Sequence, residues 1–552
     1  MTDAPVTVYP AKSITTMNPM APTAEVVAVA GDKIAAVGSR EGVLGGLKYA
    51  GREYRIDDTF AGAALIPGLI EAHSHITTTG SFYQMPAYLG AYPRLGPNGM
   101  LTPVESKQAA LETLRTVAAT VEGPVTGWGY DPVLIEGSPK LTAADLDGID
   151  ATRPVAVMNM SGHVLYCNSV TLKLAGYTDS TDAPGVIRGA DGKLTGELDE
   201  LPAIIPAVIH LLKLDANYVL NGVALTAELA HQRGLTTISD LLTQSPQEIQ
   251  AMAGYARSSA AKTRMACYYS YLSLAPMGVD KALPFLAEQC AGNDDRFRVA
   301  GVKFVSDGSI QNFTADLLAP PYYNGAPNGL FNFATQDVSA LMKPYHDAGY
   351  QIATHTNADG ASDKVLAALT HIMDIAPRRD NRHRMEHVQM LTAEQIATMA
   401  SYGICANVFS KHIKYWGDVH RTMTLGPDRA AQMDAARTLI ESGVHTSLHS
   451  DAWVTPIDQL ESIVCATTRT THSGFVLGPE QCITVEQALR AVTIEAAYLL
   501  REDRIKGSLE PGKLADITVL DRPLVTPQDA ADAQPLATLL GGQVLPISPN
   551  TP

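Results

Sequence analysis

The alternation of hydrophobic and polar positions changes character twice along the chain. Near the N-terminus, short β-type runs alternate with turns: Val6-Thr7-Val8-Tyr9, Glu25-Val26-Val27-Ala28-Val29 and Lys33-Ile34-Ala35-Ala36-Val37-Gly38. Gly31-Asp32, between the last two, reads as a tight hairpin turn. A similar strand, within 512–520, follows a turn near the other end. From about 65 to 504, apolar runs of strand length alternate with stretches of helical length. The runs begin at Ala64, Leu235, Met265, Val302, Gln351, Arg384, Ile404 and His445. Stretches such as 218–233 and 335–348 have helical length and lie between them. An eightfold strand–helix alternation predicts a parallel (β/α)₈ barrel of the α/β class. The first two runs stand much further apart than one βα unit needs, so an insertion is expected at about 80–215.

Bulk properties narrow the function classes. The chain has 552 residues, 46% hydrophobic and 18% charged, which supports a large core and more than one domain. A net charge of −16 disfavours nucleic acid as a partner. Six scattered cysteines, with no CxxC pair, read as reduced and mostly buried thiols. The opening Met1-Thr2-Asp3-Ala4-Pro5 lacks basic and apolar targeting regions, and no apolar run reaches membrane-spanning length. The expectation is a cytoplasmic protein with a small-molecule substrate and no membrane partner. Whether it forms a homo-oligomer stays open.

Candidate chemistry lies at the C-terminal ends of the runs. His73-Ser74-His75 follows the first, and residues two apart in an extended segment share a side. His355 ends the fifth, His387 ends the sixth, Asp451 follows the eighth, and Lys303 lies in the fourth. Barrel strands present their C-terminal ends to one face, so these residues are expected to converge. Imidazole and carboxylate donors suit zinc and similar divalent ions. Within the insertion, His163 is a candidate for orienting substrate or stabilising an oxyanion, or else for a structural hydrogen bond. Trp128 and Tyr130 are candidates for lining the pocket. His412 and His420, near Trp416, follow the seventh run, while His449 reads as a packing residue.

Ordered motifs add a resemblance. The block Ile66-Pro67-Gly68-Leu69-Ile70-Glu71-Ala72-His73-Ser74-His75 resembles the PGxxDxHxH signature of the amidohydrolase superfamily. Gly127-Trp128-Gly129-Tyr130-Asp131, Ser161-Gly162-His163, Asp307-Gly308-Ser309, Glu386-His387-Val388-Gln389 and Ser450-Asp451 then recur in the order of its amidohydrolase-3, or YtcJ-like, branch. That branch includes N-substituted formamide deformylases. The likeness spans nearly the whole chain. It implies that residues 1–64 and 505–552 join in one small β-sandwich beside the barrel of 65–504. It implies two divalent ions, most simply Zn²⁺. The first would be held by His73, His75 and Asp451, the second by His355 and His387. Lys303, carboxylated by CO₂, would bridge them. Glu71 departs from the usual Asp, and Phe313 stands where Arg is common.

Such a site implies hydrolysis of a C–N bond in an amide, N-formyl or N-acyl amine, carbamate or cyclic amide. A metal-bound hydroxide would attack the carbonyl carbon, with Asp451 moving the proton. Two alternatives use the same residues differently. A mononuclear deaminase of a ring amidine would need the HxH pair and Asp451 but not Lys303. A non-catalytic metal-binding regulator would need no turnover at all.

Overall fold

The computed structural model describes residues 5–212, 215–333 and 336–548. Eight parallel strands form the central barrel: β1 Leu69–Ser74, β2 Leu235–Thr243, β3 Arg264–Ser270, β4 Phe297–Val305, β5 Gln351–Thr356, β6 Arg384–His387, β7 Cys405–Val408 and β8 Thr446–Leu448. Each pairs in parallel with its sequence neighbour, in unbroken order from β1 to β8. Outward side chains such as Ile238, Val302, Ile352 and Met385 pack against the surrounding helices in the main core. Inward positions are small: Ala72, Ala266 and Ala353 pack with Tyr268 against Ala496, Ala497 and Leu500, which fill the barrel's N-terminal end.

The first apolar run divides into two strands. Ala64–Pro67 pairs with Ile517–Leu520 in the terminal sheet, and only Leu69–Ser74 enters the barrel. The break falls at Gly68, where a Cβ would lie 2.0 Å from Thr236 Oγ1, so no larger residue fits where the chain passes between sheets. The expected start of the barrel at 65 therefore moves to Leu69. Strands from both chain ends join in one eight-stranded sheet, in which Ile517–Leu520 lies directly beside Ala64–Pro67. By its hydrogen bonding this is a single sheet, where a sandwich was expected. Between β1 and β2 lies a separate six-stranded sheet, running from Ala87–Tyr88 to Leu194–Asp199. No helix among the described residues is long and apolar enough to cross a membrane.

No strand ladder joins β8 to β1. The seam is closed by the segment that follows β8. Asp451 N donates to His73 O at 3.2 Å, and His75 N donates to Ala452 O at 2.8 Å. Glu71, wholly buried, holds the same junction. Its Oε2 accepts from Ser450 N, Ser450 Oγ and Gln459 Nε2 at 3.0, 2.5 and 2.9 Å, while Oε1 accepts from His73 N at 3.0 Å. Removing an acceptor and leaving buried donors unpaired costs roughly 1–3 kcal/mol per group. Glu71→Ala is therefore expected to destabilise the fold by about 3 kcal/mol or more. Glu71→Asp, which keeps the carboxyl group but shortens the reach, should fall between. Thermal unfolding with parallel metal analysis checks this, and an unchanged melting temperature with full metal content in Glu71→Ala would contradict it.

Candidate metal centre

The HxH pair, at the end of β1, converges on one carboxylate oxygen. His73 Nε2 lies 3.2 Å and His75 Nε2 3.1 Å from Asp451 Oδ1. On its other side, His73 Nδ1 contacts Glu386 Oε2 at 2.6 Å. That contact fixes the tautomer: Nδ1–H donates to the carboxylate, and the Nε2 lone pair faces the centre. Glu386 is itself held by Arg384 and by Asn407 Nδ2 at 2.9 Å, and Asn407 Oδ1 accepts from Ser447 Oγ at 2.6 Å. Burial opposes the charge on Glu386, but Arg384 and His73 hold its carboxyl well below the usual range. The Asp451 carboxyl, despite its burial, is likewise held well below the usual range.

Glu386 and His387 are adjacent on β6, and a regular pleat would turn them to opposite faces. His387 leaves the extended conformation, with φ +68°, followed by Val388 at +43°. Both side chains consequently approach His73, the His387 ring at 4.8 Å between centroids. Asp451 also has a positive φ, +52°. Non-glycine residues in this region cost of order 1–3 kcal/mol each and cluster at functional sites. His449 stacks on His73 at 4.6 Å and on Phe409 at 4.9 Å. It thus packs, as its position suggested, but it also offers a donor to the centre: His73, His387 and His449 place ring nitrogens within 4.8 Å of one another, as do the ligand atoms of His73, His75 and Asp451.

His355 sits at the margin of this cluster. Its ring is 4.4 Å from that of His387, but its Nε2 lies 3.1 Å from Gly308 O and 3.7 Å from Asp307 Oδ1. Lys303 is 2% exposed on β4, between outward-facing Val302 and Phe304. Burial lowers its pKa to about 8, countered in part by Glu386 and Asp451. Asp307 accepts from Asn357 N and Ala358 N at 3.0 Å each, which orients the end of β5.

His163 is delivered from the insertion, at the tip of the hairpin joining Val155–Met158 to Val164–Cys167. Gly162 (φ +76°) lets that tip press on Trp453: a Cβ there would lie 2.3 Å from its ring. The His163 ring is 5.4 Å from that of His355, and its Nδ1 lies 3.0 Å from Glu200 Oε2. Burial works against protonation of His163, but Glu200 raises its pKa overall. The hydrogen bond to Glu200 within the insertion is thus present, and it leaves the ring beside His355.

The aromatic candidates are set back from the centre. Trp128 is wholly buried against Phe82, Tyr83 and Tyr88, and Phe82 in turn packs on Trp453, whose ring touches His75. Trp128 therefore backs the wall rather than lining it. Tyr130 falls in a different core cluster, where its hydroxyl donates to Pro139 O at 2.7 Å. Gly129, at φ +95°, breaks the alternation between the two, so the expected pocket position of Tyr130 is corrected. His412 faces Asp434 at 3.3 Å, and His420 is tied to Thr424 and Gln389. Both are buried in local networks away from the cluster.

The donor set fits a divalent cation. His73 Nε2, His75 Nδ1, both nitrogens of His387, both of His449 and Asp451 Oδ1 are buried and make no hydrogen bond among the described residues. Buried polar atoms are nearly always satisfied, so this concentration of unpartnered ring nitrogens beside a carboxylate oxygen suits a bound ligand. Imidazole nitrogens and a carboxylate oxygen are the donors zinc-like ions take. Burial keeps His73, His355, His387 and His449 neutral, the form in which they ligate.

Residues 61–546 match the profile of the amidohydrolase family. The chain is 26% identical to the putative amidohydrolase YtcJ of Bacillus subtilis, covering 93% of this chain and 96% of that protein. It is 24% identical to an N-substituted formamide deformylase of Arthrobacter pascens, covering 90% of each. A metal-dependent hydrolase from Pyrococcus horikoshii superposes with a TM-score of 0.73 at 18% identity, over 94% of this chain and 98% of that one.

Glu386 is the residue whose removal separates geometry from ligation. Loss of the carboxylate partner of a ligating histidine typically lowers metal affinity about 10–100-fold. Glu386→Gln is expected to weaken zinc binding by that factor, measured by competition with a chromophoric chelator. Wild-type affinity in this variant would show that His73 needs no such partner.

Proposed function

Since the chain belongs to the amidohydrolase family, we propose that it hydrolyses a C–N bond of a small amide-type substrate: an N-formyl or N-acyl amine, a carbamate or a cyclic amide. The observation that carries this reading is the set of unpartnered imidazole nitrogens gathered around Asp451 Oδ1 at the end of the barrel. His73, His75 and Asp451 would hold one ion, and His387 with His355 or His449 a second. Zinc is the simplest choice for these donors. A bound divalent cation would lower the pKa of water from 15.7 to about 7 and polarise a carbonyl oxygen.

The chain's own groups supply the rest. Asp451, whose Oδ1 lies 3.2 Å from His73 Nε2 and 3.1 Å from His75 Nε2, is the carboxylate placed to accept the proton released by the attacking water. Returned to the leaving nitrogen, that proton completes RCONHR′ + H₂O → RCOO⁻ + R′NH₃⁺. His163, whose pKa Glu200 raises against the effect of burial, stands on the insertion side, where it can donate to an oxyanion or to substrate. Burial disfavours a bare ammonium at Lys303 and raises the fraction of neutral amine. That amine adds to CO₂ with loss of a proton, giving the carbamate that would bridge two ions. A mononuclear deaminase remains the second reading, because His73, His75 and Asp451 already form a complete three-donor set without Lys303.

Two variants test this assignment. Asp451→Asn keeps a coordinating oxygen but loses the base, so turnover should fall at least about 10²–10⁴-fold, with more metal retained than in His73→Ala. Near-normal turnover with metal bound would move the proton transfer to another residue, His163 first. Assayed on N-formyl and N-acyl amines, Lys303→Ala should be inactive and partly rescued by short carboxylic acids. Full activity without rescue would favour the mononuclear reading.

A further inference from the structure

A cavity of 390 Å³ opens beside the centre, between the insertion and the loops that follow β3 and β4. Its size lies near the lower end of the roughly 300–1000 Å³ of typical ligand pockets, enough for one aromatic or branched aliphatic group. The wall is largely apolar: Ile187 and Leu201 from the insertion face Leu272, Phe313, Leu330 and Phe333 from the barrel loops. Leu330 is 70% exposed and Leu272 44%, so apolar surface is left open at the mouth of this cavity. Glycines fix both sides. A Cβ on Gly185 would lie 2.1 Å from Asp199 O, and one on Gly329 would lie 2.2 Å from the Thr314 backbone.

Among the described residues, the charged groups lining the cavity are two carboxylates, Asp199 and Glu200. Glu200 joins the cavity to the centre. Its carboxylate contacts His163 on one side and overlies Gly308 on the other, where a Cβ would come within 2.6 Å of Oε1. Gly308 O in turn lies 3.1 Å from His355 Nε2. Asp199 Oδ1 is buried with no hydrogen-bond partner. Burial first, then the negative charge of Glu197, pushes the Asp199 carboxyl up to about 7, with Lys140 acting in the opposite direction.

Resting on the C–N hydrolase reading above, we propose that this cavity receives the nitrogen-side substituent of the substrate, an apolar group that is neutral or positively charged, and rejects substituents carrying a carboxylate. Hydrolysis separates charge in a way that suits this placement. The acyl fragment leaves as an anion, which two carboxylates repel. The amine fragment leaves as an ammonium, which they attract.

Direct binding tests the cavity independently of turnover. Phenethylamine, 2-phenylethanol and 2-phenylethanesulfonate share one apolar group and differ in charge, and the sulfonate is a poor metal ligand. Calorimetry with the metal-loaded protein should rank amine over alcohol over sulfonate, with at least a tenfold gap between the first and last. Leu330→Arg, at an exposed position that tolerates substitution, should weaken the amine at least tenfold and narrow or reverse the gap. Asp199→Asn should narrow it without abolishing binding of the alcohol. Equal affinity for amine and sulfonate, or an amine affinity untouched by Leu330→Arg, would overturn the assignment. N-formylphenethylamine and N-formylphenylalanine, assayed in parallel, separate the two claims. Amine binding as ranked with hydrolysis of neither compound would retain the cavity and refute the hydrolase reading. Hydrolysis of both at equal kcat/KM would refute the cavity's selectivity.

Discussion

The buried carboxylate of Glu71 is the joint on which the centre depends. A parallel barrel must bring its last strand back to its first, and here no ladder joins β8 to β1. Glu71 instead binds Ser450 and Gln459 on one side and the His73 amide on the other. Ser450 immediately precedes Asp451, and the His73 amide belongs to the HxH pair. That side chain thus reinforces the backbone bonds that close the barrel and ties together the two halves of a three-donor site. A low-dielectric location makes that arrangement rigid, since each donor would be costly to leave unpaired.

The other parts of the fold act on this centre from two directions. From within the barrel, Arg384, Glu386, Asn407 and Ser447 form a polar chain that ends on His73 Nδ1 and orients its free nitrogen. From outside, the insertion brings His163 and Glu200 over the open end and supplies one wall of the adjoining cavity. Sites assembled from strand ends and one long insertion keep the metal chemistry on rigid elements and leave substrate contacts to loops.

Much of this was legible in the sequence, for definable reasons. Strand runs with ligand-type residues at their C-terminal ends place those residues on one face through topology alone, and His73, His75, His387 and Asp451 are found together. What stayed hidden depends on geometry that spacing does not encode. The run 64–70 reads as one strand, and only the contact of Gly68 with Thr236 shows where it divides. Tyr130 follows Trp128 by two positions, yet Gly129 sends it to another core cluster. His449 reads as packing because its free nitrogens are visible only in three dimensions. Glu386 stood beside His387 in a recognised motif, but its bond to His73 spans 313 positions. Its one available signal was a carboxylate on an inner strand next to a ligand, where an unpaired charge would be costly.

That these side chains jointly bind metal is tested most directly by element-specific anomalous diffraction from crystals of the zinc-loaded protein. The expected map has a peak about 2.0–2.2 Å from His73 Nε2 and from donor atoms of His75 and Asp451, with a second beside His387. An anomalous map with no peak between His73 and Asp451, in protein shown by elemental analysis to contain zinc, would contradict it.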